Sequence, residues 1–277
     1  MALTELRNPD ALNRATWSNH RTLDDFAGLD CWSDPGECVA VARVAPFVRG
    51  RPILDVGAGA GRTAAFLRLL SDDYQAVDYT PEMVELFRRN HPDLPVRLAD
   101  ARDLHEFPDG GFALAMFSYN GIDAVDHDDR VQVLRELRRV VAPGGWVLFS
   151  TFNLHGPAAR EVPWRGARDH KPVAWRVARW IARAPMDLPR HRRRWTNWWR
   201  NRTLEEEHED WAMRRSAAHD FGLVVHVVSL DLLYREVDAA GFVDVETYAR
   251  EDGSRLGPSS DTSGVAWFHL VARVPTA

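Results

Sequence analysis

The densest chemistry in the sequence lies in Asp55-Val56-Gly57-Ala58-Gly59-Ala60-Gly61. Three glycines at alternate positions allow a tight turn with positive φ and let a ligand lie against bare backbone. Where such a turn opens a helix, the free N–H groups favour a carboxylate or phosphate. The turn by itself suits NAD, a flavin, a nucleotide or plain tight packing. Three features separate these. The spacing is GxGxG, whereas the dinucleotide fingerprint is GxGxxG. Asp55, two residues before the first glycine, would repel a pyrophosphate and suits an ammonium group or a water-mediated contact. Two further acids, Asp78 and Asp100, close the next two apolar runs. Asp78 can accept from both hydroxyls of a ribose, and Asp100 from the exocyclic amine of adenine. A plainer reading stands beside two of these positions: Asp55 as the cap of its own turn, and Tyr79 as a core aromatic.

A second set of residues suits an acceptor rather than a cofactor. Ser118-Tyr119-Asn120 follow the fourth apolar run, and Phe152, Asn153 and His155 follow the fifth. Trp17 and His20 come from the N-terminal segment, and His226 from the stretch Asp220–Ser229. His155 and His226 are the candidate general bases, against the commoner role of a histidine as a surface or structural residue. Asp123, Asp126, His127, Asp128 and Asp129 resemble a metal cluster, but they precede a helical pattern, where acids cap free N–H groups and complement the helix dipole. No metal ligands are assigned.

These residues need elements to position them, and from Arg51 the pattern supplies a β–α–β series. Strands are predicted at 52–56, 74–78, 95–99, 112–118 and 146–151. Between them fall amphipathic stretches, including a helix started by Pro81 and another at 129–141 ended by Pro143-Gly144-Gly145. A helix at 230–240, stopped by Gly241, and strands near 242–248 and 266–274 complete the series.

Ile53–Arg62, Ala76–Thr80, Leu98–Leu104 and Leu137–Thr151 together resemble the motif series of class I S-adenosylmethionine-dependent methyltransferases, over about residues 51–152. The resemblance implies S-adenosylmethionine as cofactor, with its methionine moiety on Gly57, Gly59 and Gly61. It places the ribose on Asp78, adenine against Tyr79, and the adenine edge on Asp100 and the backbone of Ala101. Ala58, Arg102 and Ser118 join Asp55 in the same cofactor-facing set. It also implies an α/β, Rossmann-like, mostly parallel sheet of seven strands with the last antiparallel. The acceptor is left open, because a fold does not determine a substrate.

The stretch 154–202 breaks the regularity. It carries thirteen Lys/Arg against three Asp/Glu, a net charge of +10, so the rest of the chain carries −15. Six of the eleven tryptophans lie here: Trp164, Trp175, Trp180, Trp195, Trp198 and Trp199. In 173–183, Arg176, Arg179 and Arg183 share one helical face, and Val173, Val177 and Trp180 another. Three readings compete. The first is a helical cap inserted after the fifth strand, its arginines paired with the acidic run Glu205–Asp210. The second is a surface for a membrane-bound acceptor. The third, disfavoured by the acidic remainder of the chain, is an RNA-binding face.

The resulting organisation is an N-terminal helical segment (1–50), a cofactor-binding α/β core (51–153), an Arg/Trp-rich helical cap (154–228) and a C-terminal helix with the last two core strands (229–277). Overall charge of −5, two non-CxxC cysteines, and no signal-peptide pattern or long apolar run point to a soluble, cytoplasmic, bacterial-type protein. The expected activity is methyl transfer to O or N of a small molecule. A non-catalytic cofactor-binding module and an NAD dehydrogenase are the rivals.

Overall fold

The computed structural model describes residues 8–27, 32–163 and 188–276. The described chain starts with α1 (Pro9–Trp17), α2 (His20–Ala27) and α3 (Pro35–Val48). Asn8 caps α1 by accepting from the Asp10 N–H, and Asp34 caps α3 by accepting from the Glu37 N–H. Each cap satisfies a donor that a first helical turn leaves free. Next come β1 (Ile53–Val56), α4 (Ala64–Leu67), β2 (Tyr74–Asp78), α5 (Pro81–Asn90), β3 (Val96–Leu98), β4 (Phe112–Phe117), α6 (His127–Val140) and β5 (Val141–Asn153). Residues 188–200 form α7. It is followed by β6 (Glu206–Glu207), β7 (Trp211–Ser216), β8 (Leu223–Val228), α8 (Leu230–Ala239), β9 (Val243–Ala249), β10 (Arg255–Leu256) and β11 (Trp267–Arg273).

The main sheet runs β3-β2-β1-β4-β5-β11-β9-β10. Strands β3 to β5 are mutually parallel, and β11 inserts antiparallel between β5 and β9. Every residue of β4 is buried, because helices cover both faces of the sheet. Leu114 and Met116 pack with Val44 of α3 and Phe87 of α5. Ala115 and Phe117 pack with Leu134 and Leu137 of α6 and Leu233 of α8. Truncating one such leucine to alanine costs about 2–5 kcal/mol.

Two sequence expectations change. The sheet holds eleven strands among the described residues, not seven. The surplus is the two-residue edge strand β10 and the set β6–β8. That set also corrects the helical reading of 154–228. β7 and β8 form an antiparallel hairpin, and β8 extends the sheet by pairing parallel with the tip of β5, Phe152 opposite Val227 and Asn153 opposite Val228. The cause is the unbroken apolar run around His226, which is buried on both faces as a strand. Among the described residues, the acidic run is paired with arginines outside 154–202. Glu205 pairs with Arg215, Glu207 with Arg214 and Asp210 with Arg235. Arg190 and Arg193 of α7 instead hold Asp220. Trp164, Trp175, Trp180 and the amphipathic stretch 173–183 lie outside the described residues. Among the described residues, no helix is long and apolar enough to cross a membrane.

Side chains of α1 lock the hairpin to the N-terminus, Thr16 by donating to the Gly222 carbonyl at 2.7 Å. Asn13, fully buried in α1, donates to the carbonyls of Ala124 and Val224, both at 2.8 Å, and accepts from the Val224 N–H at 3.0 Å. All of its main hydrogen-bonding capacity is thus met inside the protein, as burial of a polar group demands.

Candidate active site

The tips of β1, β2, β4 and β5 lie under α1, α2 and the β7–β8 hairpin. At the tip of β1 the glycine turn has φ of +63° at Gly57, +56° at Gly59 and +96° at Gly61. The three positions differ in what surrounds them. A Cβ on Gly57 would meet the Phe117 ring at 2.4 Å, and one on Gly61 would meet the His91 ring at 2.3 Å. A Cβ on Gly59 would meet nothing within 4 Å. Gly57 and Gly61 therefore serve packing, and Gly59 presents open backbone to a ligand. Ala58 is buried beside it and donates its N–H to the Val77 carbonyl at 3.0 Å.

Asp78 ties this turn to β2. Its Oδ2 accepts the Gly59 N–H at 2.9 Å and its Oδ1 accepts the Thr80 N–H at 2.8 Å. Burial pushes this carboxyl up, against both backbone donors. Each oxygen keeps a further acceptor site, which suits a vicinal diol. Next to it, the Tyr79 hydroxyl is buried with no hydrogen-bond partner, as is Oδ1 of Asn120 at the tip of β4. Burial, with the Asp78 charge, raises the Tyr79 phenol. The open Gly59 backbone and these two unpaired polar atoms fit a nucleoside-bearing cofactor.

Three of the expected cofactor residues are placed differently. Asp55 is buried and turned inward, its Oδ2 accepting from Thr63 at 2.5 Å and Tyr74 at 2.7 Å. Burial, tempered by these donors, raises its carboxyl to about 6. Through this oxygen it braces the turn. Asp100 is held by Arg102 at 2.7 Å and by Arg14 of α1 at 2.5 Å. Burial pushes it up, but hydrogen bonds from Arg102 and Arg14 outweigh that and hold it at about 2. Its oxygens therefore have little capacity left for an adenine amine; Ala101 beside it is half-buried. Arg102 points away from the turn, pairing Asp100 with Asp129 of α6.

Ser118 leads to residues that sequence reasoning missed. Its hydroxyl donates to Glu37, and Arg62 donates to it at 2.8 Å. Arg62 and Glu37 form a two-bond ion pair at 2.7 and 2.8 Å, with side chains 15% and 2% exposed. Burial raises Glu37, but the bonds from Arg62, Ser118 and Ser33 prevail and leave it lowered. Arg14 is the other missed group: its guanidinium lies 4.2 Å from the Tyr79 ring centre while pairing with Asp10 and Asp100. No local signal marks a single Glu or Arg on a helix as a partner for residues far along the chain.

On the acceptor side, Tyr119 has φ of +53° and Asn120 +60°. This left-handed pair aims Tyr119 outward, where it meets Trp32 at 4.8 Å and Trp267 at 5.8 Å, both edge-on. Burial raises its phenol. Phe152 closes the group at 5.9 Å from Trp267. Trp17 spans the turn and the hairpin, packing on Ala60, Met83 and Leu86 on one side and on Leu154 and Val225 on the other. His20 is exposed at the start of α2, and His155 is exposed beyond β5 with its backbone N–H on Asn153.

His226 does not join them. Leu223, Val225 and Val227 of β8 face Phe152 and Trp17; His226 alternates to the opposite face. It is fully buried against His127 and Trp211, and burial, with Arg130 and His127, lowers its pKa well below the usual histidine value. The acidic stretch before α6 splits similarly. Asp126 caps the helix by accepting from the Asp129 N–H, as expected. Asp123 instead is fully buried, accepting from Arg130, Thr151 and the Phe152 N–H.

The strand order, the antiparallel β11 and the glycine turn linked to an acid on β2 define a class I, S-adenosylmethionine-dependent methyltransferase fold. Residues 53–145 match the family described as a methyltransferase domain. The malonyl-[acyl-carrier protein] O-methyltransferase of Halorhodospira halophila is 37% identical over 109 residues. That match covers 38% of this chain and only 36% of the relative. The 1,6-didemethyltoxoflavin-N1-methyltransferase of Burkholderia thailandensis, solved with 1,6-didemethyltoxoflavin and S-adenosylhomocysteine, superposes with a TM-score of 0.55 at 15% identity, covering 96% of this chain and 88% of that one. The CcbJ methyltransferase of Streptomyces caelestis gives a TM-score of 0.56 at 16% identity, covering 94% and 98%.

Proposed function

We propose that the protein transfers a methyl group from S-adenosylmethionine to O or N of a small-molecule metabolite by in-line displacement. The reading takes 51–153 and 229–277 as the catalytic core, with 1–50 and 154–228 covering it, in a cytoplasmic enzyme. The observation that carries it is the convergence of Trp32, Tyr119, Phe152 and Trp267 beside Arg62, the residue that follows the last glycine of the turn. These rings offer an apolar wall to a flat or amphipathic acceptor. The small-molecule N1-methyltransferase among the structural relatives supports the same substrate class.

When bound, the cofactor supplies a methyl group on a good leaving group. The protein's part is then to orient the acceptor and exclude water, and orientation alone is worth roughly 7–11 kcal/mol. Gly59 and Asp78 hold the cofactor side, and the aromatic rings hold the acceptor. His155 is the histidine on the solvent side of the strand tips that can take a proton from an alcohol; a neutral amine or phenolate acceptor needs no base.

The test is S-adenosylhomocysteine production in the presence of fractionated metabolites. Turnover should require an added acceptor, and Trp267→Ala should raise KM for that acceptor while cofactor affinity is unchanged. Binding of the cofactor without turnover in any pool would favour a non-catalytic module. His155→Ala, compared with the wild type at one pH, decides the base: full activity removes it.

A second reading has its own observation. α7 exposes Leu188, Trp195 and Trp199 on an arginine-rich helix, which suits an acceptor at a lipid surface. Co-sedimentation with anionic liposomes supports it, and steep salt-dependent RNA binding would favour nucleic acid instead.

A further inference from the structure

Behind the strand tips, on the face away from Trp17, three potential ligand atoms from separate elements converge. His127 Nδ1, on the first residue of α6, lies 3.2 Å from His226 Nε2 on β8. It also lies 3.9 Å from Glu236 Oε1 on α8. All three atoms fall within 4.8 Å of one another. We propose that His127, His226 and Glu236 bind a divalent transition-metal ion, with zinc as the fitting ion.

Two observations support this independently of the methyl-transfer reading. The spacing is the first. Two nitrogens bound to one zinc at about 2.0–2.1 Å with a tetrahedral angle sit roughly 3.3 Å apart, close to the separation of the two histidine nitrogens. Glu236 completes the set by moving in by roughly 1 Å. The second is hydrogen bonding. Glu236 Oε2 accepts from Arg130 at 2.9 Å, but Oε1 is buried with no partner, on a side chain only 5% exposed. An acceptor left unsatisfied in the interior is costly, and a metal ion would satisfy it.

The surroundings favour a fixed site that remains accessible. Trp211 stacks on His127 with rings 3° from parallel, and His208 stacks on Trp211. His127 keeps a side chain 29% exposed, which leaves a route from solvent and a position for a water ligand. Two imidazoles, one carboxylate and water are a common zinc set. The ion would join the β7–β8 hairpin to α6 and α8, fastening the insertion to the core.

The alternative occupant of this space is a direct N–H···N hydrogen bond between the two imidazoles, and metal binding distinguishes them. Tag-free protein is stripped with chelator, desalted and titrated with Zn²⁺ under calorimetry, then with Co²⁺ under visible absorption. The expected result is one equivalent of zinc per chain and the intense absorption of low-symmetry cobalt. Binding should weaken at least roughly tenfold in His127→Ala and in His226→Asn. His127 is partly exposed at a helix start, so His127→Ala should stay folded, with its circular dichroism and S-adenosylhomocysteine affinity confirming this. Absence of stoichiometric zinc binding in the wild type, or undiminished binding in His127→Ala, overturns the proposal.

Discussion

The carboxylate of Asp78 accepts the backbone N–H of Gly59 at 2.9 Å, joining the second strand to the one glycine of the turn whose Cβ direction is open. The same carboxylate accepts from Thr80, so both oxygens are fixed in direction. Asp78→Asn replaces one acceptor with a donor that faces an N–H. Hydrogen bonds to charged groups contribute about 1.5–3 kcal/mol each. The variant should lose roughly 10- to 100-fold in S-adenosylhomocysteine affinity by calorimetry. An unchanged dissociation constant would remove Asp78 from the cofactor site.

The glycines should separate into two kinds. Gly59→Ala carries a strain of order 1 kcal/mol for its positive φ and no clash with protein atoms. It should fold with a small fall in Tm and lose cofactor affinity strongly. Gly57→Ala and Gly61→Ala collide with the Phe117 and His91 rings and should lose more stability. Equal effects of all three on Tm would refute the distinction.

The Glu37–Arg62 pair is nearly enclosed. Removing one member of a buried pair leaves an uncompensated charge and costs about 3–5 kcal/mol. Glu37→Ala should therefore show that loss in denaturant unfolding. Glu37→Leu combined with Arg62→Met should recover much of it. If the double variant is no more stable than the single, the pair acts through something other than charge.

Asp55 predicts a pH dependence. Its folded carboxyl is raised by burial to about 6, above the ordinary aspartate value. The stability it confers is complete below the unfolded pKa and is lost as pH rises through about 6, because the folded state holds its proton longer. The difference is of order 3 kcal/mol. Asp55→Asn mimics the neutral form, so the variant should gain relative to the wild type between pH 4 and pH 7. A stability difference that is flat across this range would contradict the assignment.

Much of the core was legible because period and turn chemistry are local. The continuous apolar run of β4, the proline opening α5 and the glycine turn with Asp78 at the end of the next strand all follow from short-range rules. The antiparallel β11 was read from the family resemblance. The hairpin around His226 was not legible, since its pairing with the tip of β5 depends on contacts with residues about 75 positions away.

What the residues determined by themselves was a cofactor-binding α/β scaffold: strand-end acids and positive-φ glycines have few other uses at that spacing. Which acids face a ligand was decided only in three dimensions. Asp55, Asp78 and Asp100 look alike in the sequence, yet one is turned into the core, one grips the turn and one is taken by two arginines. A carboxylate's role depends on the donors that happen to surround it, and those arrive from α1, α4 and β2 only when the chain has folded.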